Sequence, residues 1–317
     1  MQKIIQMYKF LSLILVLICI TAGCTTQISQ EEAEYENADK ISGDDSGCDY
    51  SEYHRTFMAV YPMSQDEGRL CYDSQVNFRE LKGEYHPEDI VMSYSIGYMT
   101  ISPGNKTPLH RQMNRSEYIF VTKGTAEILC DSTTVSIKAG ESVILPKTVL
   151  QSVKSSGNEE LVYITLIDPA YSGKSEITGD KLLNIDVTTN EVPIVIENPK
   201  KGIEWDIGSD MMIYSIANPA LMPDMNLPFE YSVAYAELLP GGVAEENYLR
   251  GSSELIVVLE GEIEVYAPGG IPVSVTAGNA AYIPANQSKG YRNSGEKNAK
   301  ILSITDPAWT PEIWESV

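Results

Sequence analysis

The chain repeats itself, and this repeat limits the possible folds more than any other feature of the sequence. Residues 116–124 (SEYIFVTKG) align with residues 253–261 (SELIVVLEG) at an offset of 137. Gly140 and Pro146 then align with Gly278 and Pro284 at an offset of 138, and Asp168-Pro169-Ala170 with Asp306-Pro307-Ala308. Anchors that hold register to within one position over about 50 residues mark a duplication. The 317 residues therefore hold two copies of one unit, each of ordinary domain size.

Each copy reads as β-structure. Short apolar runs rich in Val, Ile and Tyr alternate with turn residues and leave no helical stretch between them. In the second copy the expected strands are Leu255–Leu259, Ile263–Tyr266, Val273–Val275, Ala280–Ile283 and Ile301–Ile304. Gly124 and Gly261 fall where two-residue hairpins are expected, because positive φ is cheap only for glycine. Many short antiparallel strands point to an all-β fold of two tandem jelly-roll barrels. Tyr50–Glu84 and Asn184–Asn226 precede the two cores and are expected to add strands and loops.

Gly104, His110, Gln112, Glu117 and Gly124, followed by Gly140, Pro146 and Gln151, resemble the paired motifs of the cupin superfamily. Gln112 and Gln151 stand where that family usually has two further histidines. The resemblance covers roughly residues 91–170 and 228–309, which makes the chain similar to a bicupin. It implies a ligand site in each barrel mouth, with His110 and Gln112, two apart on a strand, facing one side. Such a site in the first barrel would use His110, Gln112, Glu117 and Gln151. These four either line a polar pocket without metal or form a weak site for one divalent ion of the Mn or Fe type. His110 with Glu117 as orienting partner is also the sole general-base candidate. His54 and His86, the other histidines, lie outside the motif.

In the second copy the corresponding positions are Asn247, Leu249, Glu254 and Lys289. Leucine offers no donor atom and an ammonium repels a cation, so no metal is expected there. Lys289 either pairs with Glu254 inside the barrel, supplying the positive charge a metal would have given, or both side chains reach water. The chain has 19 tyrosines. Near a barrel mouth they would suit a sugar or an aromatic acid; elsewhere they pack as ordinary strand residues.

The first residues read as an address. Lys3 and Lys9 precede the apolar run Phe10–Ile20, which is short for a membrane span and ends in Ile20-Thr21-Ala22-Gly23-Cys24. That ending resembles the lipobox of prokaryotic lipoproteins, which implies cleavage before Cys24 and a lipid on its thiol. Localisation at the cell envelope, anchored to the outer face of a prokaryotic membrane, follows from the resemblance. The expected domains are then a signal peptide (1–23), anchor and acidic tether (24–49), first cupin domain (50–172) and second (173–317). Once Cys19 and Cys24 are assigned, Cys48, Cys71 and Cys130 remain of the five cysteines. A Cys48–Cys71 bridge and free buried thiols stand as equal alternatives.

A formal charge of −21 argues against nucleic acid, whose phosphates require Lys and Arg. No nucleophile elbow, phosphate loop or dinucleotide fingerprint is present. Three functional readings follow, in order of preference. The first is an envelope lipoprotein, a compact monomer, binding a small molecule in a polar barrel pocket. The second is a metal-dependent dioxygenase, decarboxylase or isomerase acting through the first barrel. The third is an interaction scaffold.

Overall fold

A computed structural model describes residues 59–61, 68–82, 92–207 and 210–317. Residues 1–23, which the sequence reads as a signal peptide, and Cys24, Cys48, His54 and His86 lie outside these residues. The regular structure of the described chain is mostly strand, arranged as two jelly-roll barrels of two sheets each.

The repeated motif shows why the fold forms. In Ser116–Lys123, Tyr118 and Phe120 point into a core shared by the two barrels, while Ile119 and Val121 point into the first barrel's interior. In Ser253–Glu260, Leu255 and Val257 join the shared core, and Ile256 and Val258 fill the second barrel. A strand buried on both faces must be apolar at successive positions, hence the unbroken hydrophobic runs. The period of two also sets the direction of the acid: Glu117 and Glu254 have the parity of the inward residues.

The larger sheet of the first barrel runs, edge to edge, Ile194–Ile196, Ser142–Leu145, Ser116–Lys123, Leu161–Asp168, Ser95–Ile101, Val76–Lys82 and Arg69–Cys71. Its counterpart in the second barrel runs Ala59–Tyr61, Ala280–Ile283, Ser253–Glu260, Ala299–Asp306, Ser232–Leu238, Met211–Ala217 and Ile203–Asp206. The smaller sheets are Glu176–Thr178, His110–Gln112, Leu150–Ser155, Thr125–Cys130 and Thr133–Lys138, and correspondingly Trp314–Ser316, Val243–Leu249, Lys289–Arg292, Glu262–Tyr266 and Val273–Thr276. The two barrels thus share one strand order.

Two sequence expectations change. The boundary at 172/173 places Glu176–Thr178 and Ile194–Ile196 with the second domain, yet both pair in the first barrel. Reciprocally, Ala59–Tyr61, from ahead of the first barrel, pairs with Ala280–Ile283 of the second. The leading strand of each copy therefore extends the other barrel's sheet, and no cut in the sequence separates them. The shared core lies across this exchange, with Tyr94 and Tyr231, equivalent residues, 4.8 Å apart between ring centroids.

Gly124 and Gly261 are also not hairpin residues. Each joins a strand of the larger sheet to a strand of the smaller one, which do not pair with each other. The positive φ (81° and 77°) turns this corner, and a Cβ on Gly124 would lie 2.6 Å from the Glu160 carbonyl oxygen. Lys289–Arg292 is a strand that the sequence reading leaves out, since Lys-Gly-Tyr-Arg lacks an apolar run.

Candidate functional site

In the first barrel, four candidate residues converge. His110 and Gln112 share a strand, Gln151 is the cross-strand neighbour of His110, and Glu117 enters from the larger sheet. All four are buried. The Nδ1 of His110 donates to the Pro108 carbonyl at 2.9 Å, since a carbonyl can only accept. Its Nε2 is then the bare nitrogen and accepts from the Gln151 amide at 3.0 Å. The same amide nitrogen donates to Glu117 Oε2 at 2.5 Å, and Thr165 Oγ1 donates to Glu117 Oε1 at 2.6 Å. The orienting partner of His110 is therefore Pro108, with Gln151 standing between imidazole and carboxylate. Burial pushes the Glu117 carboxyl above the usual carboxylate range, more than the hydrogen bonds from Thr165 and Gln151 lower it.

A cavity of about 70 Å³ opens above this floor and also meets Arg69, Tyr72, Tyr163 and Tyr171. It has room for a few waters or a small solute. Tyr72 stacks toward His110, with ring centroids 6.4 Å apart. The hydroxyls of Tyr72 and Tyr171 donate to the two oxygens of Glu176, at 2.8 and 2.7 Å. Ser175 Oγ donates to Gln112 Oε1 at 3.4 Å from the same crossing segment.

The second barrel repeats this floor with one change of charge. Asn247 pairs across the sheet with Lys289, as His110 does with Gln151. Lys289 Nζ lies 3.2 Å from Glu254 Oε2, and the two side chains are only 2% and 12% exposed. Of the two arrangements considered for this pair, the structure has the ion pair inside the barrel. Ser303 Oγ donates to Glu254 Oε1 at 2.7 Å, in the place of Thr165, and Tyr291 donates to Oε2 at 2.7 Å. Burial would raise Glu254, but Lys289, Ser303 and Tyr291 together hold it below the ordinary carboxylate range. Asn247 is buried beside it, and Leu249 lines the same cavity of about 80 Å³.

Each barrel thus holds a buried glutamate by one hydroxyl on Oε1 and one N–H donor on Oε2, supplied from equivalent positions. Matched against known families, residues 97–167 and 234–305 each fit the model described as Cupin domain. The chain is a bicupin of the cupin superfamily.

Solved structures similar to the bicupin include a mutant of Bacillus subtilis oxalate decarboxylase OxdC, with TM-score 0.65 and 14% identity, covering 89% of each chain. The formate complex of Lactobacillus farciminis oxalate decarboxylase gives 0.62 and 14%, covering 81% of this chain and 88% of that one. At such identities the likeness is one of fold. Among curated proteins, Pseudomonas putida alginate biosynthesis protein AlgA is 23% identical over 112 residues, 35% of this chain and 23% of that protein. Salmonella typhimurium mannose-1-phosphate guanylyltransferase RfbM is 25% identical over 95 residues, 30% of this chain and 20% of that protein. The bicupin spans a quarter or less of these relatives.

The divalent ion considered for the first barrel meets a donor set that does not suit it. Both hydrogens of the Gln151 amide are directed at His110 Nε2 and Glu117 Oε2, the two atoms a cation would need. Turning the amide round would set its oxygen against the carboxylate. Among the described residues, no three His, Cys, Asp or Glu side chains converge as metal ligands. In the second barrel the ammonium of Lys289 stands against the one carboxylate.

Sequence reasoning missed Thr165 and Ser303, although both sit at the repeat's offset of 138, just before the Asp-Pro signature. It also missed Tyr72, Glu176 and the tryptophans of the second cavity, which carry no motif. Cys71 and Cys130 are free thiols, Cys71 at the edge of the first cavity. Burial first, then Asp131 and Glu191, pushes the Cys130 thiol up to about 12, which leaves it unreactive.

Proposed function

We propose that the bicupin binds small organic solutes directly in its barrel cavities, without a metal. The supporting observation is the duplicated floor. In each copy an N–H donor from position 151 or 289 occupies Oε2 of the buried glutamate, where a cation would have to sit. A built polar floor beneath a cavity with aromatic walls is the usual composition of a small-molecule site.

The test is thermal melting of the full chain in excess chelator against a panel of solutes. The names of the similar proteins add two classes to it: small carboxylates such as oxalate and formate, and mannose 1-phosphate. A bound solute at about 100 times its Kd raises stability by about 2.7 kcal/mol, an easily read rise in Tm. Failure of every solute to raise Tm in chelator, with a rise once Mn or Fe(II) is restored, would overturn the proposal. That outcome would favour the second reading, a metal-dependent enzyme in the first barrel. The observation behind it is that His110 and Glu117 both face Gln151, whose amide could turn to admit a cation.

The site of action belongs to the same proposal. The Ile20–Cys24 ending supports a lipid on Cys24 and display on the outer face of a prokaryotic membrane. Cys24→Ala should move the protein from the membrane to the soluble fraction; unchanged membrane retention would refute the anchor.

A further inference from the structure

The second cavity differs from the first in one systematic way. The chain has 3 tryptophans, Trp205, Trp309 and Trp314, and all of them line it. They come from separate places: the edge strand Ile203–Asp206, the loop after Asp306, and the last strand, Trp314–Ser316. Each is half-buried. Trp205 and Trp309 meet edge to face with centroids 4.8 Å apart, and Trp205 is fixed by its Nε1–H to Ser215 Oγ at 3.1 Å.

Register identifies what they replace. Trp205 pairs with Ile213 as Arg69 pairs with Phe78. Trp314 pairs with Leu249 as Glu176 pairs with Gln112, and Trp309 follows Asp-Pro-Ala as Tyr171 does. Where the first mouth presents Arg69 and Tyr171, with Glu176 held behind the tyrosine hydroxyls, the second presents three indoles. Its floor is neutral in sum, because Lys289 and Glu254 cancel.

The floor nevertheless has unspent hydrogen-bonding capacity. An ammonium has three N–H donors. Among the described residues Lys289, 2% exposed, has Glu254 as its single side-chain partner, while both oxygens of Glu254 are taken. Asn247 uses its Nδ2 on the Glu245 carbonyl at 2.8 Å and faces the same cavity. An anion entering here would meet the Glu254 carboxylate. A bare aromatic ring would satisfy the indoles but orphan the buried Lys289 donors, at the full desolvation cost. A neutral polyhydroxylated ring meets both demands. Its C–H faces lie against the electron-rich indole faces, and its hydroxyls both donate and accept at the floor.

We infer that the second barrel's cavity is a site for the ring of a neutral monosaccharide, walled by Trp205, Trp309 and Trp314 and read by Lys289 and Asn247. This rests on the metal-free binding reading above and names the ligand class for one of the two cavities.

Because every tryptophan lines this cavity, intrinsic fluorescence of the full chain reports on it alone. The chain, in chelator, is titrated with glucose, galactose, mannose and N-acetylglucosamine, and separately with benzoate. At least one sugar should give a saturable change in emission, with an apparent Kd raised at least about tenfold in Trp314→Ala. Lys289→Gln should weaken the same sugar comparably, and Trp314→Phe less than Trp314→Ala. Trp314 lies on an edge strand, so its variants test the site even if Lys289→Gln folds poorly. Saturation by benzoate alone, or by no sugar, overturns the inference. A solute that raises Tm in chelator but leaves the emission unchanged also overturns it, while the metal-free binding reading stands; no rise with any solute overturns both.

Discussion

Replacing Lys289 by Gln tests the floor most sharply, because it rebuilds the first barrel's arrangement in the second. Lys289 and Glu254 are 3.2 Å apart and 2% and 12% exposed, so screening by water is slight. Removing one member of such a pair strands the other charge and costs about 3–5 kcal/mol. The glutamine keeps an N–H donor for Oε2, as Gln151 does for Glu117, which places the expected loss near 3 kcal/mol. For domains of this size that is a fall in Tm of about 6–12 °C near neutral pH. The loss must also depend on pH. Glu254 is held below the ordinary carboxylate range, so its contribution is full above the unfolded pKa, about 4.3, and disappears as pH falls through the folded value. Without the ammonium, burial raises the same carboxyl, as it does for Glu117. The gap between wild type and variant should therefore be widest near neutral pH and narrow toward about pH 4. Circular-dichroism melts between about pH 4 and about pH 8 read it directly. A Tm within about 2 °C of wild type at every pH would show that the ammonium does not hold Glu254.

Three further outcomes follow from the same geometry. Glu117→Gln removes a carboxyl whose folded pKa is raised and which therefore favours the folded state only as pH falls through that value; Tm near neutral pH should hold or rise, and the relative gain on acidification should be lost. A fall of more than about 5 °C near neutral pH would contradict this. Ile119→Ala, at a fully buried position facing the first barrel's interior, should cost about 2–5 kcal/mol by urea unfolding, against less than about 0.5 kcal/mol for exposed Leu183→Ala. Gly124→Ala should destabilise more than Gly140→Ala: both have positive φ, but only at Gly124 would the new Cβ strike backbone, 2.6 Å from Glu160 O, while Gly140 has open space. Equal losses would refute the close approach.

The duplication, the two barrels and the inward-facing acid of each copy were legible in the sequence, since a period-two strand buried on both faces leaves an unmistakable run of apolar residues. His110, Gln151, Asn247 and Lys289 were legible as site positions through motif spacing, while their pairing across the sheet came only with the strand register. Other features depend on three-dimensional proximity. Ala59–Tyr61 and Ile194–Ile196 show no signal that would assign them to the opposite barrel. Lys289–Arg292 reads as loop because Lys-Gly-Tyr-Arg has no apolar run. Thr165 and Ser303 were hidden because a hydroxyl on a buried strand looks like any other strand residue until its acceptor is known. The tryptophans lie more than 100 positions apart in sequence at the extremes, Trp205 and Trp314, and only the folding of the last strand against Asn247–Leu249 brings them to one cavity.

In the proposed function nitrogen donors, not a metal, hold Glu117 and Glu254, and the metal content of the purified full chain tests this most directly. Element analysis beside melts with added Mn, Fe(II) or chelator should find far less than one metal per chain and a Tm unmoved by any of the three. Near-stoichiometric metal that is lost in His110→Ala, with a matching fall in Tm on chelation, would contradict it.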